Sequence, residues 1–171
     1  MAKRISSTQG WLDHALQLAR KSQFEAAQKA LGKVLGRELT SNELRMAAQV
    51  NNRCGQLGQA EVCWLEVERR NHMDPGDYYM LGSLMVQMSK FDLAVKFLGR
   101  EIEVAAKTGN DYFVDSATIK LADLLIRMNN LSGARTALAS IDNSASEYVD
   151  GVGLRTKAAM LREIDDIQTR S

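Results

Sequence analysis

Apolar positions along this chain recur at helical spacing almost throughout, and sustained alternation of apolar and polar residues is missing. Trp11, Ala15, Leu18 and Ala19 fall on one face of a first helix, and Ala27, Ala30, Leu31 and Val34 on one face of a second. The pattern predicts helices at about 7–21, 24–37, 41–54, 57–71, 75–88, 91–107, 111–128, 131–141 and 146–168. Capping signals support several starts. Ser22-Gln23-Phe24-Glu25, Thr40-Ser41-Asn42-Glu43 and Ser144-Ala145-Ser146-Glu147 each fit the box in which a hydroxyl and a glutamate satisfy each other's orphan amides. Asp74 followed by Pro75, the single proline, reads as an N-cap and first helical residue. Gly36, Gly55, Gly109 and Asn129-Asn130 read as stops.

Within this helical background one short phrase occurs four times: Gln23-Phe24-Glu25-Ala26-Ala27, Gln56-Leu57-Gly58-Gln59-Ala60, Lys90-Phe91-Asp92-Leu93-Ala94 and Asn130-Leu131-Ser132-Gly133-Ala134. Each has a bulky apolar residue and an alanine three positions later, and the alanines lie 33, 34 and 40 residues apart. Self-similarity at that period marks stacked supersecondary units. The expected organisation is one domain over 1–171, with helical hairpins at approximately 8–40, 41–74, 75–109 and 110–143 and a closing helix at 146–168. That helix carries Tyr148, Val149, Val152, Leu154, Ala158, Leu161, Ile164 and Ile167, with Gly151 and Gly153 weakening its start. It either covers the last hairpin or docks in a twin molecule to give a homodimer.

These units resemble the tetratricopeptide repeat, a helix-turn-helix of 34 residues. The matching positions are Trp11, His14, Ala15, Leu18, Phe24, Ala27 and Leu31; then Leu44, Ala47, Ala48, Asn51, Leu57, Ala60 and Trp64. The third unit matches best with Tyr78, Leu81, Gly82, Met85, Phe91, Ala94 and Leu98, and the fourth gives Thr118, Leu121, Ala122, Leu125, Leu131, Ala134 and Leu138. His14 and Asn51 stand where the family prefers apolar residues. The longer last step resembles the long-helix variety of the repeat, with about one extra turn. The resemblance implies an all-α, right-handed solenoid in which small residues on paired helices let their axes approach to the lower end of the usual ~8–10 Å.

It also implies a groove lined by the first helix of each hairpin. Leu12, Leu16, Ala19 and Arg20 would line it in the first unit, and Arg45, Met46, Gln49, Asn52 and Arg53 in the second. Tyr79, Met80, Ser83, Val86 and Gln87 continue it in the third, and Ile119, Lys120, Asp123, Ile126 and Arg127 in the fourth. Arginine and amide groups there suit a partner's backbone and carboxylates, and the methionines offer adaptable apolar contact. The alternative is an ordinary wet helix face. Leu12 and Leu16 occupy positions where carboxylate-clamp members carry Lys and Asn, which argues against recognition of chaperone tails.

Charge and composition narrow the classes. A net charge of +1 supplies no field for nucleic acid or an anionic membrane, and Lys3-Arg4 is too short for a basic tail. Apolar runs such as Leu124-Leu125-Ile126 are far too short to span a bilayer. Residues 1–8 lack a signal peptide's apolar core, so the expected compartment is the cytoplasm. Cys54 and Cys63 read as two small buried hydrophobes. No nucleotide loop, GxSxG elbow or His/Cys metal spacing occurs, so neither catalytic residues nor a metal or cofactor is expected. His14 reads as a packing residue, and Glu101/Glu103 and Asp165/Asp166 as solvated pairs.

The expectation is a protein-binding module without enzymatic activity, taking a peptide or helix of a partner. It would act as an adaptor or chaperone, similar in class to bacterial secretion chaperones built on this repeat. The alternatives are a toxin-neutralising or regulatory protein that masks a partner enzyme, and an all-helical enzyme.

Overall fold

Four turns of one geometry punctuate the computed structural model, which describes residues 5–170. At each, one residue takes a left-handed conformation: Ser22 (φ 58°), Gly55 (φ 74°), Ser89 (φ 57°) and Asn129 (φ 59°). The next residue donates its N–H back to a carbonyl of the preceding helix: Gln23 to Leu18 at 2.9 Å, Gln56 to Asn51 at 2.8 Å, Lys90 to Met85 at 2.9 Å and Asn130 to Leu125 at 2.7 Å. This closure satisfies carbonyls that the helix end would orphan. The repeated phrase is therefore a repeated turn, and its bulky residue starts the second helix of each hairpin.

The chain divides into two compact units, one up to Met73 and one from Asp74 onward. In the first unit, α1 (Thr8–Arg20) pairs with α2 (Phe24–Leu31), and α3 (Ser41–Arg53) pairs with α4 (Leu57–Arg69). Helix α3 also packs on α1 and α2. The core joins Leu12, Ala15, Ala19, Ala27, Ala30, Leu31, Val34, Ala47 and Val50. Thr40 forms the expected capping box with Glu43. The box expected at Ser22 does not form: its left-handed φ makes it the close of α1, and Gln23 is the N-cap of α2, with no side-chain cap. Helix α2 also ends six residues before the predicted 37, at Leu31. The Lys3-Arg4 pair lies outside the described residues.

The second unit opens as expected. Asp74 caps Asp77 and Pro75 starts α5 (Pro75–Gln87), which pairs with α6 (Phe91–Thr108). Helix α6 has 18 residues against 13 in α4, which accounts for most of the longer last step. Helix α7 (Val114–Arg127) packs on α6 and on α8 (Leu131–Ala139).

Beyond α8 the structure departs from the helix predicted there. Residues 146–156 form a hairpin instead; β1 (Ser146–Val149) and β2 (Gly153–Thr156) pair antiparallel, with Tyr148 opposite Leu154. Val152 N–H bonds to the Val149 carbonyl at 3.0 Å, and Gly151 (φ 75°) supplies the left-handed residue of that turn. The box expected at Ser144 is likewise absent: Ser144 bonds to Asp142 and Glu147 lies in β1. The closing helix α9 spans Lys157–Arg170, and Thr156 Oγ1 accepts the Ala159 N–H at its start. Its Met160 and Ile164 are fully buried with Ile119, Leu138 and Val149, so α9 does cover the last hairpin.

The repeat signature packs as the spacing predicts. Ala27, Ala60, Ala94 and Ala134 are all completely buried, as are Ala15, Ala48 and Ala122 on the first helices. At the third crossing a Cβ on Gly82 would stand 2.8 Å from Leu98 Cγ, closer than any normal contact. Only glycine permits that approach. Asn51 is buried as a repeat position would be, whereas Cys54 and Cys63 are free thiols and half-buried rather than buried. No helix among the described residues is long and apolar enough to cross a membrane.

Candidate functional site

The polar residues expected along α3 differ in their freedom. Arg45 is half-buried and donates from Nη1 to Asn42 at 2.7 Å and from Nη2 to the His72 carbonyl. His72 is itself held by Ser41 Oγ at 2.6 Å from Nδ1. Arg45 thus ties the turn after α4 to α3. Met46 accepts a hydrogen bond from Gln9 Nε2 at 3.0 Å and packs on the core of its unit. Gln49 and Asn52 are half-buried, and Arg53 is exposed. Leu12 and Ala19, expected on the groove, are instead buried in the core.

In the second unit the structure joins residues of α5 and α7. Lys120 Nζ donates to Ser83 Oγ at 3.1 Å and lies 4.8 Å above the ring of Tyr79. Tyr79 in turn stacks on Phe113 with ring centroids 4.5 Å apart. Arg127 lies over Phe91 and 3.7 Å from Asp123. Met80 is half-buried and Gln87 exposed. Ile119 and Ile126 are not on this face but in the core.

This face is occupied. Tyr79 Oη donates to Glu147 at 3.4 Å, and Gln87 Nε2 to Asp150 at 3.2 Å. Val149 is 2% exposed. Arg155 Nε stands 2.9 Å from Asp123 and its Nη2 2.7 Å from Glu163. Arg155 Nε is close to Asp123 Oδ1 but has no aligned hydrogen-bond acceptor, and the other Asp123 oxygen, Oδ2, is buried without a hydrogen-bond partner. Burial accordingly pushes the Asp123 carboxyl up, against the opposite pull of Arg155 and Arg127. The predicted residues Tyr79, Ser83, Gln87, Lys120 and Asp123 therefore surround β1 and its turn. Glu147, Val149, Asp150 and Arg155 are site residues that a purely helical pattern does not reveal. Their signal is Asp150-Gly151 between apolar residues, a strong hairpin dipeptide.

No family model matches the chain. No curated protein matches it either. Among solved structures it is similar to MamA (AMB-1, crystal form P212121), a TPR-like protein, at a TM-score of 0.62 and 16% identity. That match covers 77% of this chain and 69% of the other. The fold is therefore TPR-like and all-α. Among the described residues no cluster of His, Cys, Asp or Glu is arranged to hold a metal ion.

Proposed function

We propose that this protein is a polypeptide-binding scaffold, an adaptor or chaperone for one protein partner rather than an enzyme. The observation that carries this reading is the seating of β1 on α5 and α7. A face that resemblance to the repeat family marks for binding holds an extended backbone segment in this chain, through a buried aliphatic side chain and side-chain contacts to carboxylates. The stripe on α3 has a related make-up, an arginine and two amides beside a methionine. Such groups pair with backbone amides and carboxylates, while methionine adapts to apolar side chains.

The test is affinity capture from the native host with a Gln49→Glu, Arg53→Glu double variant beside the wild type. Arg45 is left intact because it anchors the His72 turn. Loss of the partner at unchanged helical circular dichroism supports the reading. Undiminished capture by the variant contradicts binding through α3.

A further inference from the structure

The hairpin sits on α5 and α7 through one buried apolar side chain, Val149, and imperfect polar contacts. Its two large paired side chains, Tyr148 and Leu154, are 65% and 68% exposed, so they contribute almost nothing to docking. Val149 is the one apolar side chain of β1 that is buried. The Tyr79–Glu147 bond is long at 3.4 Å, and beside Asp123 the Arg155 Nε has no aligned acceptor while Asp123 Oδ2 is left without a hydrogen-bond partner. A buried pair of that kind is weak support for stability. A void of about 10 Å³, room for one water, remains between Val149, Asp150 and the helix residues Ser83, Val86, Lys120, Asp123 and Leu124. Beside the turn, an open cleft of about 560 Å³ lined by Gln87, Phe91, Arg127 and Asp150 leaves the far end of the face accessible. An isolated two-stranded hairpin is at best marginally stable in water. Segments with so little burial open well below the free energy of global unfolding.

We propose that the α5/α7 face is a displaceable recognition site whose resident occupant is β1. Its external ligand is an extended acidic segment of a partner protein, with an aliphatic residue immediately before one carboxylate and two after another. That is the order Glu147, Val149, Asp150 in the chain itself. Tyr79 and Gln87 donate to the two carboxylates, Lys120 and Arg127 supply the positive field, and the aliphatic side chain fills the Val149 position beside Leu124 and Val86. This rests on the reading of the first helices as polypeptide-binding elements. It concerns only the second unit, so its failure leaves capture through α3 untouched, and the reverse.

Two measurements on the full chain test it. Hydrogen exchange read by mass spectrometry should show residues 146–156 exchanging about tenfold or more faster than α7 and α8. Exchange of the hairpin only at the rate of those helices overturns the proposal. The second uses a fluorescein-labelled synthetic peptide with the sequence of residues 144–152. The tethered hairpin competes at millimolar effective concentration, so the receiving chain carries Glu147→Gln and Asp150→Asn, two changes on the hairpin that leave α5 and α7 intact. The peptide should bind this chain about tenfold more tightly than wild type, and a peptide bearing the same two amides should bind it several-fold more weakly. Equal binding to both chains, or no binding to either, overturns the proposal.

Discussion

The first helices of the two units carry the same register of small and bulky residues, yet their polar faces have different fates. On α3, Gln49, Asn52 and Arg53 run beside Met46, with Arg45 drawn away to the His72 turn. On α5 and α7, the corresponding face holds the chain's own β1. Both units are built on left-handed turn residues and buried alanines. They differ in the chain beyond α4 and α8. After α4 it turns through Asn71 (φ 57°) and reaches Asp74 and the next helix, whereas after α8 it forms a hairpin long enough to lie back on the helices. Small-residue crossings decide which side chains point outward, and the next segment of chain decides whether they stay available.

A second contrast concerns buried charge. Among the described residues the buried carboxylates, Asp77, Glu101 and Asp123, all belong to the second unit. Glu101 is not the solvated residue that its pairing with Glu103 suggests; it is completely buried on α6, and neither oxygen has a hydrogen-bond partner. The apolar neighbours on its own helix face, Ala94, Phe97, Leu98 and Ala105, explain why: the register of the helix carries position 101 into the core. A carboxylate there is tolerable only when protonated.

The strongest break of the comparison targets α9. Ile164→Ala removes a fully buried side chain from the cluster that includes Val149, at a cost of about 2–5 kcal/mol. Calorimetry should show it, and a loss below about 0.5 kcal/mol would contradict the packing described. Next comes pH. Burial pushes Glu101 up from 4.5 to about 7, so between those values the folded state holds a proton that the unfolded state has released. Its contribution to stability is therefore full below pH 4.5 and is lost as pH rises to 7, a change of about 3 kcal/mol. Glu101→Gln should flatten that slope in urea titrations at several pH values, and an unchanged slope would rule the assignment out. Ala60→Leu and Ala94→Leu sharpen the likeness of the units: each overpacks a crossing by ~1–3 kcal/mol. A large loss for one and none for the other would show that the crossings are not equivalent. Smallest is the pair of boxes. Thr40→Ala should cost about 1 kcal/mol through its lost cap. Ser144→Ala, at a box that never forms, should cost only the exposed Asp142 contact, about 0.5 kcal/mol in the same denaturation assay.

The repeat region was legible because one physical requirement, close approach of paired helices, leaves a spaced trace of alanines and turn residues. The missed elements have local causes. Ser22 and Ser144 both match a hydroxyl-x-x-glutamate box, but a box works only on an extended N-cap, and Ser22 is left-handed while Glu147 has turned into a strand. Over 146–168 the apolar positions fit a helix well enough to hide the alternation around Asp150-Gly151. Occupation of the α5/α7 face left no sequence trace of its own. It depends on contacts such as Gln87 to Asp150, which lie 63 residues apart.

The proposed recognition at the α5/α7 face depends first on the seat of Val149. Methyl-labelled protein, studied by nuclear Overhauser spectroscopy in solution, should give cross-peaks from the Val149 methyls to those of Leu124 and Val86, which line the same void. Val149 methyls at random-coil shifts, with no contact to α5 or α7, would contradict it.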